Sequence, residues 1–126
     1  MKTKFLIICT GNKDRSPTAK ALCWQYANLE VRSAGTSKYA KTPLTAEMVR
    51  AADVLVVMEP GHVAHIRENY PEAAEAKPIH CLDIPDEFQS MDPVLVRLLQ
   101  ERLGPIVEPY RVAASPLKKL DGGGQS

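Results

Sequence analysis

The sequence predicts an α/β fold: a three-layer sandwich with a four-stranded parallel sheet and helices on both faces. Three observations carry this. Four β-rich runs stand out, at residues 4–9 (KFLIIC), 29–33 (LEVRS), 53–58 (DVLVVM) and 77–82 (KPIHCL). Helical patterns separate them, and alternating strand and helix implies parallel strands joined by crossovers. The first and third runs are almost unbroken apolar segments, which suits central strands covered on both sides.

The helices follow in order. Ser16 and Pro17 read as N-cap and first helical position of a helix over residues 17–28. Ala19, Leu22, Cys23 and Tyr26 recur there at helical spacing, so Cys23 reads as a core residue. A second helix over 43–52 turns Leu44, Met48 and Ala52 to one side, and Pro60 opens a third with Val63 and Ile66 inward. Asp92 caps a last helix that starts at Pro93, with Leu95, Leu98, Leu99 and Leu103 as its inner stripe. The closing DGGGQS has nothing to bury, so a single domain at 1–110 is expected, followed by a flexible tail at 111–126.

With 126 residues, 44% apolar and 25% charged, the chain has the make-up of one globular domain. A net charge of +1 gives no electrostatic case for nucleic acid or a membrane surface as partner. The start, MKTKFLIIC, mimics a secretory signal, but its five-residue apolar run is too short and no small-residue cleavage site follows. No stretch is long enough to span a bilayer. Three cysteines cannot all pair, and their spacing fits no zinc pattern, which points to free thiols in a cytoplasmic setting. His62 and His65 read as a surface pair with no third ligand, so no metal site is expected.

The chemistry concentrates in CTGNKDRS, residues 9–16. Cys9 ends the first strand, at the sheet edge where parallel α/β folds bind ligands. The loop of Thr10, Gly11, Asn12, Lys13 and Asp14 leads straight into a helix N-terminus. Its successive N–H groups form an anion-binding nest. Gly11 and Asn12 are residue types that accept the positive φ such a tight loop needs. A sulfur held over N–H donors is stabilised as thiolate, the nucleophilic form. Arg15 supplies a planar fork for two oxygens of a tetrahedral dianion, and the Ser16 hydroxyl steadies the sulfur. The reading is a phosphate site whose nucleophile is Cys9, turning over through a phosphocysteine.

CTGNKDRSPTA, RSAGT at 32–36 and ADVLVVMEP at 52–60 together resemble the low-molecular-weight protein tyrosine phosphatase family, in order from about residue 4 to 107. The resemblance implies Cys9 as nucleophile, Arg15 as phosphate binder, Asn12 as the prop of the loop and Ser16 as the steadying hydroxyl. It also implies phosphotyrosine protein or a small aryl phosphate as substrate, with no metal or organic cofactor.

Such a reaction needs a proton for the leaving oxygen. Asp83, Asp86 and Asp92 compete, in CLDIPDEFQSMDP after the fourth run. Asp92 has a capping role, Asp83 directly follows the strand, and Asp86 lies mid-loop. The family's Asp-Pro-aromatic segment falls on PDEF, which favours Asp86, although Glu87 replaces the proline.

Other positions depart from the family. Asp14 stands where a second cysteine is common, so no neighbouring thiol can trap an oxidised Cys9; it reads as a helix cap or a partner of Lys13. Lys13 occupies a usually apolar position and reads as solvated. The 37–51 segment is short, so one wall of the cleft is reduced, leaving Tyr39 and Phe88 as aromatic residues that either meet substrate or simply pack. Two other functions fit the same motif. A thiol-dependent arsenate reductase would need relay cysteines, for which Cys81 is the sole candidate. A non-catalytic phosphate-binding module would need no acid.

Overall fold

Strand β1 (Thr3–Cys9) pairs with β2 (Leu29–Gly35) on one side and β3 (Val54–Val57) on the other, and β3 pairs with β4 (Ile79–Cys81). All pairings are parallel, giving the four-stranded order β2-β1-β3-β4. The two near-continuous apolar runs are therefore the interior strands. Phe5 to Cys9 and Val54 to Val57 are buried throughout, as two covered faces require. The computed structural model describes residues 2–24 and 26–110; the expected flexible tail at 111–126 lies outside them.

The two faces read off the strand alternation. Phe5, Ile7, Cys9, Val54 and Val56 point into one core with Ala19 and Leu95, Leu99, Leu103 and Val107. Helices α1 (Arg15–Leu22), α5 (Pro93–Arg102) and α6 (Gly104–Val107) cover that face. Leu6, Ile8, Leu55 and Val57 point the other way, against Val49 and Ile66. Those residues come from α2 (Ala46–Ala51) and α3 (Pro60–Asn69), and α4 (Pro71–Ala76) adds Ala73 and Ala74 at the margin. A 3-10 turn, Glu108–Tyr110, follows α6 and sets the Tyr110 ring edge-on to Phe5 at 5.4 Å between centroids.

Several boundaries differ from the sequence reading. Helix α1 starts two residues earlier, because the Asp14 carbonyl already accepts the Thr18 amide at 3.1 Å. Asp14 is thus the N-cap residue and Ser16 lies inside the helix. The helix also stops at Leu22 rather than 28; Cys23 and Tyr26 are buried, but Tyr26 lies past the helix end. Helix α2 begins only after Thr45, whose hydroxyl accepts from the Met48 amide at 3.2 Å. Pro43 before it forms an extended bridge to Gly35 instead. Asp92 does cap α5, accepting from the Val94 amide at 2.8 Å. Among the described residues no helix is long and apolar enough to cross a membrane.

Candidate active site

Cys9 ends β1 directly beside Gly35, the last residue of β2. The carbonyls of Cys9, Thr10 and Gly11 accept the amides of Thr36, Ser37 and Lys41, at 2.9, 3.1 and 3.0 Å. In a trans peptide the N–H opposes the C=O. Residues 10, 11 and 12 therefore aim their N–H groups away from the 36–41 segment, into a shared concavity. The Asn12 amide confirms the direction by donating to the Cys9 sulfur at 3.2 Å. Asn12 takes the one left-handed turn of this loop, φ 51°. Gly11 does not have a positive φ, which corrects the expectation for it, and a Cβ there would meet nothing closer than 3.9 Å. The glycine that matters is Gly35. A Cβ on it would lie 2.4 Å from the Thr10 carbonyl oxygen and 3.0 Å from the Asn12 nitrogen, so the loop can lie against β2 only where there is no side chain.

Side chains complete the concavity. The Ser16 hydroxyl lies 3.0 Å from the Cys9 sulfur and 2.8 Å from Asn12 Oδ1, so one buried hydroxyl links the loop asparagine to the thiol. Arg15 is 1% exposed. A buried guanidinium needs partners on its fork, and its Nη1 donates to the Ile84 carbonyl at 2.7 Å and pairs with the Glu59 carboxylate. Both Nη1 hydrogens are thereby used. The Nε–Nη2 edge is left for an anion, with Thr10 Oγ1 3.5 Å from Nη2 and Asp86 Oδ1 3.8 Å from Nε.

Two residues of this network escaped the sequence reading. Glu59 orients Arg15 from the position just before α3. His62 is not a surface residue but 4% exposed, which corrects the expectation for it. Its Nδ1 accepts the Glu59 amide at 3.0 Å, which puts the ring hydrogen on Nε2, where it donates to Thr10 Oγ1 at 2.9 Å. The Thr10 hydroxyl keeps its own hydrogen for a ligand. Burial, and then the Arg15 charge, hold the His62 pKa below its ordinary 6.5 against the opposing pull of Glu59. MEPGH carried the one available signal: a histidine two residues past a helix-opening proline, at the carboxyl end of a central strand.

Of the three competing aspartates, the structure brings Asp86 alone to Arg15. Asp92 is occupied as the α5 cap, and Asp83 sits in a left-handed turn, φ 55°, with its carbonyl held by Arg102 at 2.7 Å. Contrary to expectation, the Asp14 side chain neither caps α1 nor pairs with Lys13 among the described residues; its Oδ1 accepts Ser90 instead. Lys13 is exposed. Tyr39 is 84% exposed at the tip of the 36–41 segment, whereas Phe88 packs against the core. Burial pushes the Cys23 thiol up to about 11, and Cys81 is exposed at the end of β4. Since Cys81 pairs with Val57, which pairs with Ile8, it lies two strands from Cys9, or about 10 Å at ordinary strand spacing.

No protein-family model matches the sequence, and no curated protein matches it. Solved structures do. The tyrosine phosphatase Wzb from Escherichia coli K30, in complex with phosphate, is 25% identical over 86% of this chain and 99% of its own, with a TM-score of 0.73. Vibrio vulnificus Wzb in complex with benzylphosphonate is 23% identical over 86% and 99%, with a TM-score of 0.70. The YwlE arginine phosphatase from Geobacillus stearothermophilus is 24% identical over 98% and 99%, with a TM-score of 0.66.

Proposed function

On the fold of the low-molecular-weight protein tyrosine phosphatases, shared over most of the chain, we propose that this protein is a cysteine-dependent phosphomonoesterase. We assign it phosphotyrosine protein or a small aryl phosphate as substrate. The observation that carries the reading is the convergence on one concavity of the Cys9 sulfur, the amides of residues 10–12 and the open edge of Arg15.

The substrate dianion sits on those amides and the Nε–Nη2 edge, with its phosphorus facing sulfur. The thiolate attacks phosphorus as the ester P–O bond breaks, and Asp86, protonated, gives its proton to the leaving oxygen. Charge spreading over the equatorial oxygens meets donors already fixed in place. Water then attacks the phosphocysteine, Asp86 takes the water's proton, and the P–S bond breaks. Cys9 leaves as thiolate, received by the Asn12 amide and by the Ser16 hydroxyl, whose single hydrogen turns from Asn12 Oδ1 to the sulfur. Inorganic phosphate is the product.

The phosphate-binding residues in this reading are Thr10, Gly11, Asn12, Lys13, Asp14, Arg15 and Ser16, the contributions of Lys13 and Asp14 being main-chain amides. A relay through Cys81 fits poorly, because a disulfide needs Cα atoms within about 7 Å. Turnover of p-nitrophenyl phosphate, abolished in Cys9→Ser, is the expected result; binding of phosphate with no turnover would identify a binding module instead. Asp86→Asn is expected to lower kcat by roughly 10²–10⁴ for phenyl phosphate and far less for p-nitrophenyl phosphate. Equal loss on both would remove Asp86 as the proton donor.

A further inference from the structure

The segment that carries Asp86 is pinned at both ends, and both pins involve the phosphate loop. At its start the Ile84 amide donates to the Met58 carbonyl at 2.8 Å, and the Ile84 carbonyl accepts Arg15 Nη1 at 2.7 Å. At its far end the Ser90 amide donates to Asp14 Oδ1 at 2.9 Å. The Ser90 hydroxyl lies 3.0 Å from the same oxygen and 2.9 Å from the Lys13 carbonyl, and its single hydrogen serves one or the other. Met91 then turns left-handed, φ 61°, and its amide donates to Thr18 Oγ1 at 3.1 Å. Between the pins Phe88 packs against the core, while Asp86 stays on the exposed side. The Asp86 side chain is 63% exposed, and among the described residues its carboxylate makes one contact, the 3.8 Å approach to Arg15.

We infer that Asp14 is a positioning residue for the proton donor: its carboxylate, through Ser90, latches the 85–91 segment to the phosphate loop and so holds Asp86 over the bound ester. The inference rests on the proposed role of Asp86. The Asp14 carboxylate is engaged by Ser90, on the segment that carries Asp86, so its work is on the leaving-group side of the reaction. Attack on phosphorus does not depend on it. Without that carboxylate the far end keeps only the Ser90 hydroxyl on the Lys13 carbonyl and the Met91 amide on Thr18, so the stretch carrying Asp86 has more conformations to sample, and a displacement of about 1 Å at a proton donor costs on the order of 10²-fold. The carboxylate accepts from a main-chain amide, so an amide oxygen in the same place can replace it.

The test compares Asp14→Ala, Asp14→Asn, Asp86→Asn and the double variant D14A/D86N on phenyl phosphate and p-nitrophenyl phosphate. In Asp14→Ala, kcat for phenyl phosphate is expected to fall roughly ten- to a hundred-fold. That for the better leaving group falls at most about threefold, and inhibition by inorganic phosphate stays within about threefold of the parent. Asp14→Asn retains most of the activity. The double variant is no slower than Asp86→Asn alone, because the first change acts through the second residue. Hydrogen exchange at the amides of 86–91 is faster in Asp14→Ala.

Equal loss on both substrates with weakened phosphate inhibition would make the Asp14 side chain, and not only its amide, part of the anion cup and overturn the inference, as would unchanged exchange. If Asp86→Asn is leaving-group dependent and Asp14→Ala is not, the positioning role alone falls. If Asp86→Asn shows no such dependence, the assignment of the acid falls and takes the positioning role with it.

Discussion

At residue scale the site is a set of buried polar atoms that satisfy one another. Arg15, Ser16, Asn12 and His62 are each at most 4% exposed, and each has a partner that also serves the concavity. His62 yields a pH prediction. Arg15 and His65 lower its affinity for a proton, and Glu59 and Asp86 raise it, with burial the largest influence and downward. The unfolded histidine binds its proton near 6.5 and the folded one only at lower pH. The native state is therefore favoured fully above 6.5, and that advantage fades as pH falls through the window below. Urea midpoints should drop between pH 7.5 and pH 5, and by less in His62→Gln, whose amide can still accept and donate.

At element scale, strands were more legible than helix ends. Two interior strands announce themselves because burial on both faces leaves no polar position. The start of α1 was misread because Ser-Pro is a strong local signal, while the true start is set by the loop geometry that brings the Asp14 carbonyl to Thr18. The hold on α2 is tertiary and left no local trace. Lys77, just past α4, donates from Nζ to the carbonyls of Val49, Arg50 and Ala52 at 2.7, 2.7 and 2.5 Å. One ammonium thus satisfies three carbonyls at the end of α2, where a cation is favoured by the helix dipole. Lys77→Met is expected to cost about 1–3 kcal/mol in urea unfolding, with turnover unaffected because α2 lies on the face opposite α1.

At the scale of the whole molecule, the sheet order sets the distance between thiols. The first strand, the loop folded around the Cys9 sulfur and the placing of Arg15 beside it were readable in the opening stretch, since strand, loop and helix are contiguous there. Glu59, His62 and Ser90 were not, because strand order alone brings residues 44 to 76 positions away to the same loop. Cys23 and Cys81 provide a check on this burial. Iodoacetamide at pH 7.5 is expected to label Cys81 quickly and leave Cys23, its thiol pushed up to about 11, untouched until the protein unfolds. Labelling of Cys23 in the native protein would contradict the packing of α1 described above. The 36–41 segment has a further consequence. Main-chain bonds fasten Thr36 and Ser37 on one side and Lys41, Thr42 and Leu44 on the other, so the arch over 38–40 that carries Tyr39 is closed on itself, by the Ala40 amide on the Ser37 carbonyl at 3.0 Å, rather than bonded to the strands or the phosphate loop by them. New lengths of chain can be grafted onto that arch to recognise different esters, while the cradle beneath is inherited unchanged.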